Sequence, residues 1–336
     1  HIASRLAKQG HRVLYIESLG LRTPTVKAQD ISRILKRIIS FFKGTRSVDS
    51  NIWVYSPLVI PLHRFKFIRL FNHLALVCIL KYFKWKLKLH DPIVWTYNPI
   101  VLDLMKSQSP KKMVYHSVDD LAAAPGLDSK MILTEEEKLL KAVDHVFCTS
   151  LKIFEHCKKI ASNKVHYHSN VVDYKHFSKA REKQEVPADL KSIPGKKIGF
   201  VGAVSEYKVD LDFIIEVARR RPNWSWVLIG KVGEGQPGTS IEKIKGIPNI
   251  FLLGPKEYKN LPAYLGNFDV CTIPTPVNEY TNSMFPMKFY EFMAAGKPII
   301  ARDIDSLKEV RDAHYSYSTQ EDFIRLAEIA FEKGVI

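Results

Sequence analysis

The chain has 336 residues, 46% of them hydrophobic and 25% charged, which is the composition of a soluble globular protein with length and apolar residues enough for two domains, each with its own core. Its four cysteines, Cys78, Cys148, Cys157 and Cys271, have neither metal-binding spacing nor the pattern of a disulfide framework, which excludes a zinc site and favours a reducing cytosol. The net charge of +15 is one-sided: residues 196–336 hold 18 basic and 18 acidic residues, so the first half carries the whole excess and is suited to meet anions.

Residues 1–10 read as an amphipathic helix stopped at Gly10, and Arg12–Glu17 as the strand that follows it. A doubly wound domain opens on a strand and a turn before such a helix, so that strand and turn are expected to be absent from this numbering.

Between Ile31 and His90 there are twelve Lys or Arg and one acid, Asp49. Ile31, Ile34, Leu35, Ile38, Ile39 and Phe42 make one apolar stripe, with Arg33, Lys36 and Arg37 opposite. From Arg64 to Leu89, the aromatic residues Phe65, Phe67, Phe71 and Trp85 alternate with Arg64, Lys66, Arg69, Lys81, Lys84, Lys86 and Lys88. The uncharged stretch Leu74–Leu80 falls far short of the ~20 apolar residues of a spanning helix. Either both stripes pack on a domain core and only the basic faces meet water, or the segments lie on an anionic bilayer, where each basic residue adds roughly 1 kcal/mol. The basic excess makes the bilayer the expectation.

Met113–Asp120 reads as a strand ending in two carboxylates, Asp119 and Asp120. Asp120 also suits a helix cap ahead of Leu121–Ala124, and His116 lies within the strand. Residues 181–195, charged and containing Pro187, Pro194 and Gly195, are the expected linker between a first domain, 1–180, and a second, 196–336.

In the second half, short continuous apolar runs at 198–201, 226–229, 250–253, 270–273 and 298–300 have the character of parallel strands buried on both faces. Helical patterns lie between them, as in Leu211–Ala218, where Leu211, Ile214, Ile215 and Ala218 share a face. Strand and helix alternate, so the fold class is α/β with a doubly wound sheet. Ligands of such sheets sit beyond the carboxyl ends of the strands, where Gly202, Gly230, Gly254 and Pro274 place their loops. The Gly233–Gly238 cluster lacks the spacing and lysine of a P-loop and reads as a loop.

The run Asn282–Ala301 contains a helix of about ten residues, with Pro286 in its first turn and Gly296 just past its end. Phe289, Phe292 and Met293 face a core; Lys288 and Glu291 lie on a neighbouring face near the N-terminus. That pair is either a solvated Lys–Glu pair on a capped core helix or a site for a polyanion bearing hydroxyls.

The pattern Ser283-x-x-Pro286-x-Lys288-x-x-Glu291-x-Met-Ala-Ala-Gly296-Lys-Pro298 resembles the donor-site signature of GT-B glycosyltransferases, especially bacterial polysaccharide and teichuronic-acid-type enzymes. Ile198–Gly202, Trp226–Gly230, Asn249–Gly254, Leu261–Leu265 and Phe268–Pro274 resemble that family's second domain in order. Ala142–Ser150 and Asn170–Asp173 with Phe177 resemble its strand and inter-domain turn, although Val171 stands where the family has glycine. The likeness covers nearly the whole chain. It implies two Rossmann-like domains facing a cleft, with a closing helix expected beyond Ile336.

The resemblance implies transfer of a sugar from a nucleotide-diphosphate donor, with a UDP-sugar as the expected one, to a lipid-linked or envelope polysaccharide at the cytoplasmic membrane face. The implied partners are that donor, that acceptor and an anionic membrane surface; neither a metal nor a cofactor beyond the nucleotide-sugar substrate is required. The donor residues it suggests are Gly202, Lys208, Lys256, Tyr258, Asn278, Glu279, Ser283, Lys288 and Glu291. Lys208 either reaches the phosphates or is an ordinary solvated lysine. Asp119 or Asp120 is the nearest match to the general base of inverting relatives, and His116 either contacts the donor phosphate or lies buried. Many retaining relatives carry a glutamate where this chain has Ser283, and Glu279 is its nearest substitute, so stereochemistry stays open. An epimerase or sugar-phosphate-binding protein of the same fold is the competing class. A nucleic-acid partner finds no P-loop, RNA-recognition or zinc-finger pattern in its support.

Overall fold

The computed structural model describes residues 2–17, 44–58, 66–234, 236 and 239–335. Its contacts divide the chain into two units: residues up to His116 with Gly126–His145, and Ser117–Pro125 with the chain from Val146 onward. Residues 146–180 and 181–195 therefore pack within the second unit.

In the first unit the helix Ile2–Lys8 leads, through Gly10 with φ of 90°, into strand β1 (Val13–Ile16). Strands β2 (Arg46–Asp49) and β3 (Ile52–Tyr55) complete a sheet of order β1-β3-β2, with β1 parallel and β2 antiparallel to β3. The helix Lys66–Lys86 buries Leu76, Leu80 and Phe83, the last two clustered with Tyr55, whose ring lies 4.9 Å from that of Phe83. Strand β4 (Ile93–Thr96) pairs in parallel with β5 (Lys112–Ser117). Asp144 receives the Met113 amide at 2.8 Å and Lys112 Nζ at 3.0 Å, and these bonds hold its carboxyl below the usual range.

In the second unit, β6 (His145–Cys148) pairs in parallel with β7 (Val165–Tyr167) around the helix Leu151–Ala161, whose first turn is capped by Ser150. The larger sheet holds β8 (Lys196–Val201), β9 (Trp224–Ile229), β10 (Ile250–Gly254), β11 (Val270–Ile273), β12 (Ile299–Arg302) and β13 (Tyr315–Tyr317), all parallel, in the order β10-β9-β8-β11-β12-β13. The five strands expected from apolar runs are all present. The sixth, β13, is three residues long, and its Tyr-Ser-Tyr sequence carries no apolar run.

Every residue of β9 is buried, because helices cover both faces. Alternation sorts the side chains: Val201, Val227 and Ile229 join the core with Cys271, Phe289 and Phe292, while Phe200, Trp226 and Leu228 join the opposite core with Ile300 and Phe323. The chain builds outward through β8, β9 and β10, then returns to the other side of β8 with β11. The order reverses between β8 and β11, and the turns after those strands lie at a topological switch point where such sheets bind ligands.

Close packing explains two glycines there. A Cβ on Gly230 would fall 1.7 Å from the Gly202 carbonyl oxygen, and one on Gly199 would fall 2.0 Å from the Phe268 ring.

Candidate functional site

The helix Lys288–Ala294 is seven residues long, shorter than the ten expected, with Met287 at its N-cap and Pro286 just before it. Its far end is a Schellman turn: the Gly296 amide bonds Met293 O and the Lys297 amide bonds Phe292 O, with Gly296 at φ of 67°. Arg181 adds Nε to Ala294 O at 2.8 Å and Nη2 to Met293 O at 2.9 Å. Phe289 and Phe292 are wholly buried, whereas Met293, expected in the core, is 40% exposed. With its two phenylalanines locked in the core, the helix turns Lys288 and Glu291 to the neighbouring face.

Lys288 lies across the turn after β8. A Cβ on Gly202 would fall 2.0 Å from Lys288 Cε and 2.9 Å from Nζ, so the lysine stem needs a glycine beneath it. Burial lowers the pKa of this ammonium; Glu291 opposes the shift, Lys208 adds to it, and Glu234 and Asp119 oppose it more weakly. Among the described residues Lys288 makes no ion pair and no hydrogen bond. Burial raises the Glu291 carboxyl, with Lys288 pulling the other way. The two are thus a partly buried cation and a partly buried carboxyl one helical turn apart, each with hydrogen-bonding capacity to spare.

Four more groups converge there. Asp119 accepts a hydrogen bond from Tyr280 Oη at 3.2 Å. Lys208 Nζ lies over the rings of Tyr207 and Tyr280, at 5.2 and 5.4 Å from their centroids. Burial raises the Asp119 carboxyl, opposed first by Lys208, then by the Tyr280 bond and, more weakly, by Lys288; Asp120 pushes it further up. Asp120 caps the short helix Leu121–Ala123 through the Ala123 amide at 3.2 Å and also lies 3.2 Å from Ser283 Oγ. Ser283 is 1% exposed, with its Oγ 2.7 Å from the Glu279 carbonyl.

The remaining donor candidates occupy other settings. Asn278 is the N-cap of the helix Glu279–Ser283 in a reciprocal capping box with Thr281, and its Nδ2 reaches Tyr207 O at 3.2 Å. Glu279 is exposed. Lys256 forms a 2.5 Å ion pair with Asp189, which also receives the Tyr264 hydroxyl at 2.8 Å. Tyr258 stacks on His176 with centroids 4.2 Å apart, and Glu291 is among the charges that raise its pKa. In the first unit, His116 packs among aromatic rings, Trp95 at 5.7 Å and Tyr97 at 5.0 Å.

Tyr280, Tyr207, Arg181 and His176 went unmarked in the sequence. A signal existed for Tyr280: the Asn278-x-x-Thr281 box fixes the helix start and sets residue 280 inward beside the exposed residue 279.

Of the basic face expected in the first half, Arg33, Lys36, Arg37 and Arg64 lie outside the described residues, as do the side chains of Lys66 and Arg69. The described part of the helix Lys66–Lys86 is apolar on two sides. Opposite the buried Leu76, Leu80 and Phe83, it exposes Phe67, Leu70, Phe71, Leu74, Tyr82 and Trp85, with Phe67 at 70% and Trp85 at 76%. Lys81, Lys86 and Lys88 are exposed, whereas Lys84 turns back to bond Gln108 O at 2.8 Å. Among the described residues no helix is long and apolar enough to cross a membrane.

Residues 195–328 match the family model "Glycosyl transferases group 1". TuaH of Bacillus subtilis, a glycosyltransferase assigned to teichuronic acid biosynthesis, is 27% identical over 227 residues, 64% of this chain and 56% of its own length, so the match spans little more than half of that relative. Among solved structures, sucrose-phosphate synthase from Thermosynechococcus elongatus is similar with a TM-score of 0.68 at 15% identity, covering 96% of this chain and 90% of that one. HepE from Anabaena, in complex with UDP-glucose, is similar with a TM-score of 0.65 at 14% identity over the same shares. At such identities these likenesses establish the fold, which is GT-B.

Proposed function

We propose that this chain, whose residues 195–328 match the group 1 glycosyl transferases, transfers a sugar from a UDP-sugar to a lipid-linked or envelope polysaccharide acceptor at the inner face of the cytoplasmic membrane. The observation that carries the proposal is Lys288, partly buried across Gly202 without an ion pair among the described residues, between Glu291 and Lys208. A partly buried ammonium with no ion pair is stabilised by a bound anion, and the adjoining carboxyl accepts hydrogen bonds from a diol.

In this reading Lys288 and Lys208 stabilise the charge that develops on the diphosphate as the glycosidic bond breaks. Glu291 holds a ribose diol, and Tyr258 meets the base. Asp119, raised by burial, is the base for the acceptor hydroxyl in an inverting transfer, whereas a retaining transfer requires none. No metal enters, because the protein's cations take up the leaving-group charge. UDP as the nucleotide is supported by the UDP-glucose complex of HepE, and an envelope polymer as acceptor by the likeness to TuaH. The apolar and basic face of Lys66–Lys86 supports a membrane location.

The test is a thermal-shift panel of UDP-, GDP-, ADP- and CMP-sugars on the wild type and Lys288→Ala. UDP-sugars should stabilise the wild type alone; equal responses in the two proteins would sink the donor-site assignment.

A further inference from the structure

Thr275 is 4% exposed, and its Oγ1 is buried without a hydrogen-bond partner among the described residues. It stands in the turn after β11, and that turn is fixed on both sides of it. The Asp210 amide bonds the Pro274 carbonyl at 2.8 Å, and Thr281 Oγ1 bonds the Pro276 carbonyl at 2.6 Å. A hydroxyl held out of water with nothing to bond is costly, so a group from outside the fold is expected to pair with it. Alternation along β11 gives its direction. Cys271 and Ile273 join the core that holds Phe289 and Phe292, whereas Val270 joins the opposite one. One step further, the same alternation sets Thr275 on the face covered by the helix Lys288–Ala294. Strand β11 pairs with β8, Val270 beside Ile198 and Cys271 beside Gly199. The turn holding Thr275 therefore adjoins the Gly202 turn, over which Lys288 lies.

We infer that Thr275 is a contact for the donor's leaving group: its hydroxyl donates to a diphosphate oxygen of the bound nucleotide-sugar, beside Lys288. The inference rests on the reading of Lys288 as the cation of the diphosphate. Ionised phosphate oxygens accept hydrogen bonds, and the Thr275 hydroxyl has one proton to donate. Lys288 supplies charge on a flexible stem and fixes direction poorly. A β-branched side chain in a turn pinned at both neighbours has little freedom about χ1, so Thr275 supplies the direction that the lysine lacks. When the glycosidic bond breaks, its electron pair leaves with the diphosphate, and a donor already in place is worth more to the product anion than to the donor sugar.

The experiment compares Thr275→Val, which keeps the shape and removes the hydroxyl, with Thr275→Ser, which keeps the hydroxyl. Calorimetry should show UDP affinity about tenfold lower in Thr275→Val, the scale of one hydrogen bond to a charged group, and within about threefold of wild type in Thr275→Ser. Uridine, which has no phosphate, should bind wild type and Thr275→Val alike in NMR titrations. Without ligand, Thr275→Val should melt at or above the wild-type temperature, because an unpaired buried hydroxyl has been removed. Unchanged UDP affinity in Thr275→Val overturns the inference. So does a loss confined to UDP-glucose, which would set the hydroxyl against the sugar, and so does an equal loss for uridine and UDP. A free Thr275→Val protein that melts well below wild type also overturns it, since the hydroxyl would then be bonded within the fold through a trapped water. If Thr275→Val does not fold, Thr275→Ala against Thr275→Ser reads the same bond. The underlying reading fails separately: UDP binding that is equal in wild type and Lys288→Ala removes the donor site and this contact with it. Binding lost in Lys288→Ala and kept in Thr275→Val removes this contact alone.

Discussion

Lys288 lies directly over Gly202, close enough that a methyl group on the glycine would fall 2.0 Å from Lys288 Cε. The lysine is a flexible side chain and gives way, so Gly202→Ala should displace the ammonium, but Gly202 has φ of 159° and the substitution also strains the backbone. UDP affinity should fall about tenfold, a loss near 1.4 kcal/mol, and the free protein should lose about 1–3 kcal/mol. Gly230→Ala is the contrast. Its methyl meets the Gly202 carbonyl at 1.7 Å, and backbone cannot swing aside, so we expect about 3 kcal/mol of destabilisation or more. Denaturant melts of the two variants, with and without UDP, separate these effects.

Replacing Lys288 by methionine should leave the free protein as stable as wild type or make it more so. A partly buried charge without an ion pair is being exchanged for an apolar chain of similar volume, which removes the cost of holding the charge out of water. The same variant should lose the UDP-induced rise in melting temperature. A marked loss of stability without ligand would show that Lys288 holds the fold together instead.

The pH dependence follows from the lowered Lys288 pKa. Diphosphate binds the ammonium, so binding takes up a proton wherever Lys288 is neutral in the free protein. UDP affinity should therefore be full below the depressed pKa and fall as pH rises through it, beginning below the 10.5 of an ordinary lysine. Calorimetric titrations across that range should show the fall in wild type and no such fall in Lys288→Met.

Arg181 anchors the helix that carries Lys288 and Glu291 through its last two carbonyls. Arg181→Ala removes two charge-assisted bonds at the negative end of the helix dipole and should cost about 1–3 kcal/mol. Urea melts measure this, and UDP affinity should fall with it because both site residues share the helix.

The exposed face of Lys66–Lys86 predicts binding to anionic vesicles that weakens in high salt. Neutralising Lys86 and Lys88 should cost about 2 kcal/mol, near thirtyfold in partitioning. Trp85→Ser should weaken binding by a route that salt does not mimic. Co-sedimentation with phosphatidylserine vesicles tests both, and unchanged binding in both variants would count against the membrane face.

The parallel strands of the second unit were legible because strands buried on both faces need continuous apolar runs, and helices between them need a 3.6-residue period. Ile198–Val201 and Trp226–Ile229 carry that signal openly. β13 did not, since its polar residues are held by the edge of β12 and not by their own pattern. The helix around Lys288 was marked by Pro286 and Gly296, but it is seven residues long and not about ten, because regular helix starts only after Met287 and ends before Ala295.

From the sequence alone came the alternation of strand and helix, the placing of basic charge in the first half, and the choice of Lys288 and Glu291 as a pair on one face. Which groups meet them depended on the tertiary structure. Asp119 and Tyr280 are 161 positions apart, and only the fold brings the carboxylate to the tyrosine, with Lys208 above its ring. Local periodicity reports which way a side chain faces from its own helix or strand. Desolvation and hydrogen bonding are set by whatever distant chain arrives on that face, and those are the properties that turn a lysine and a carboxyl into a site.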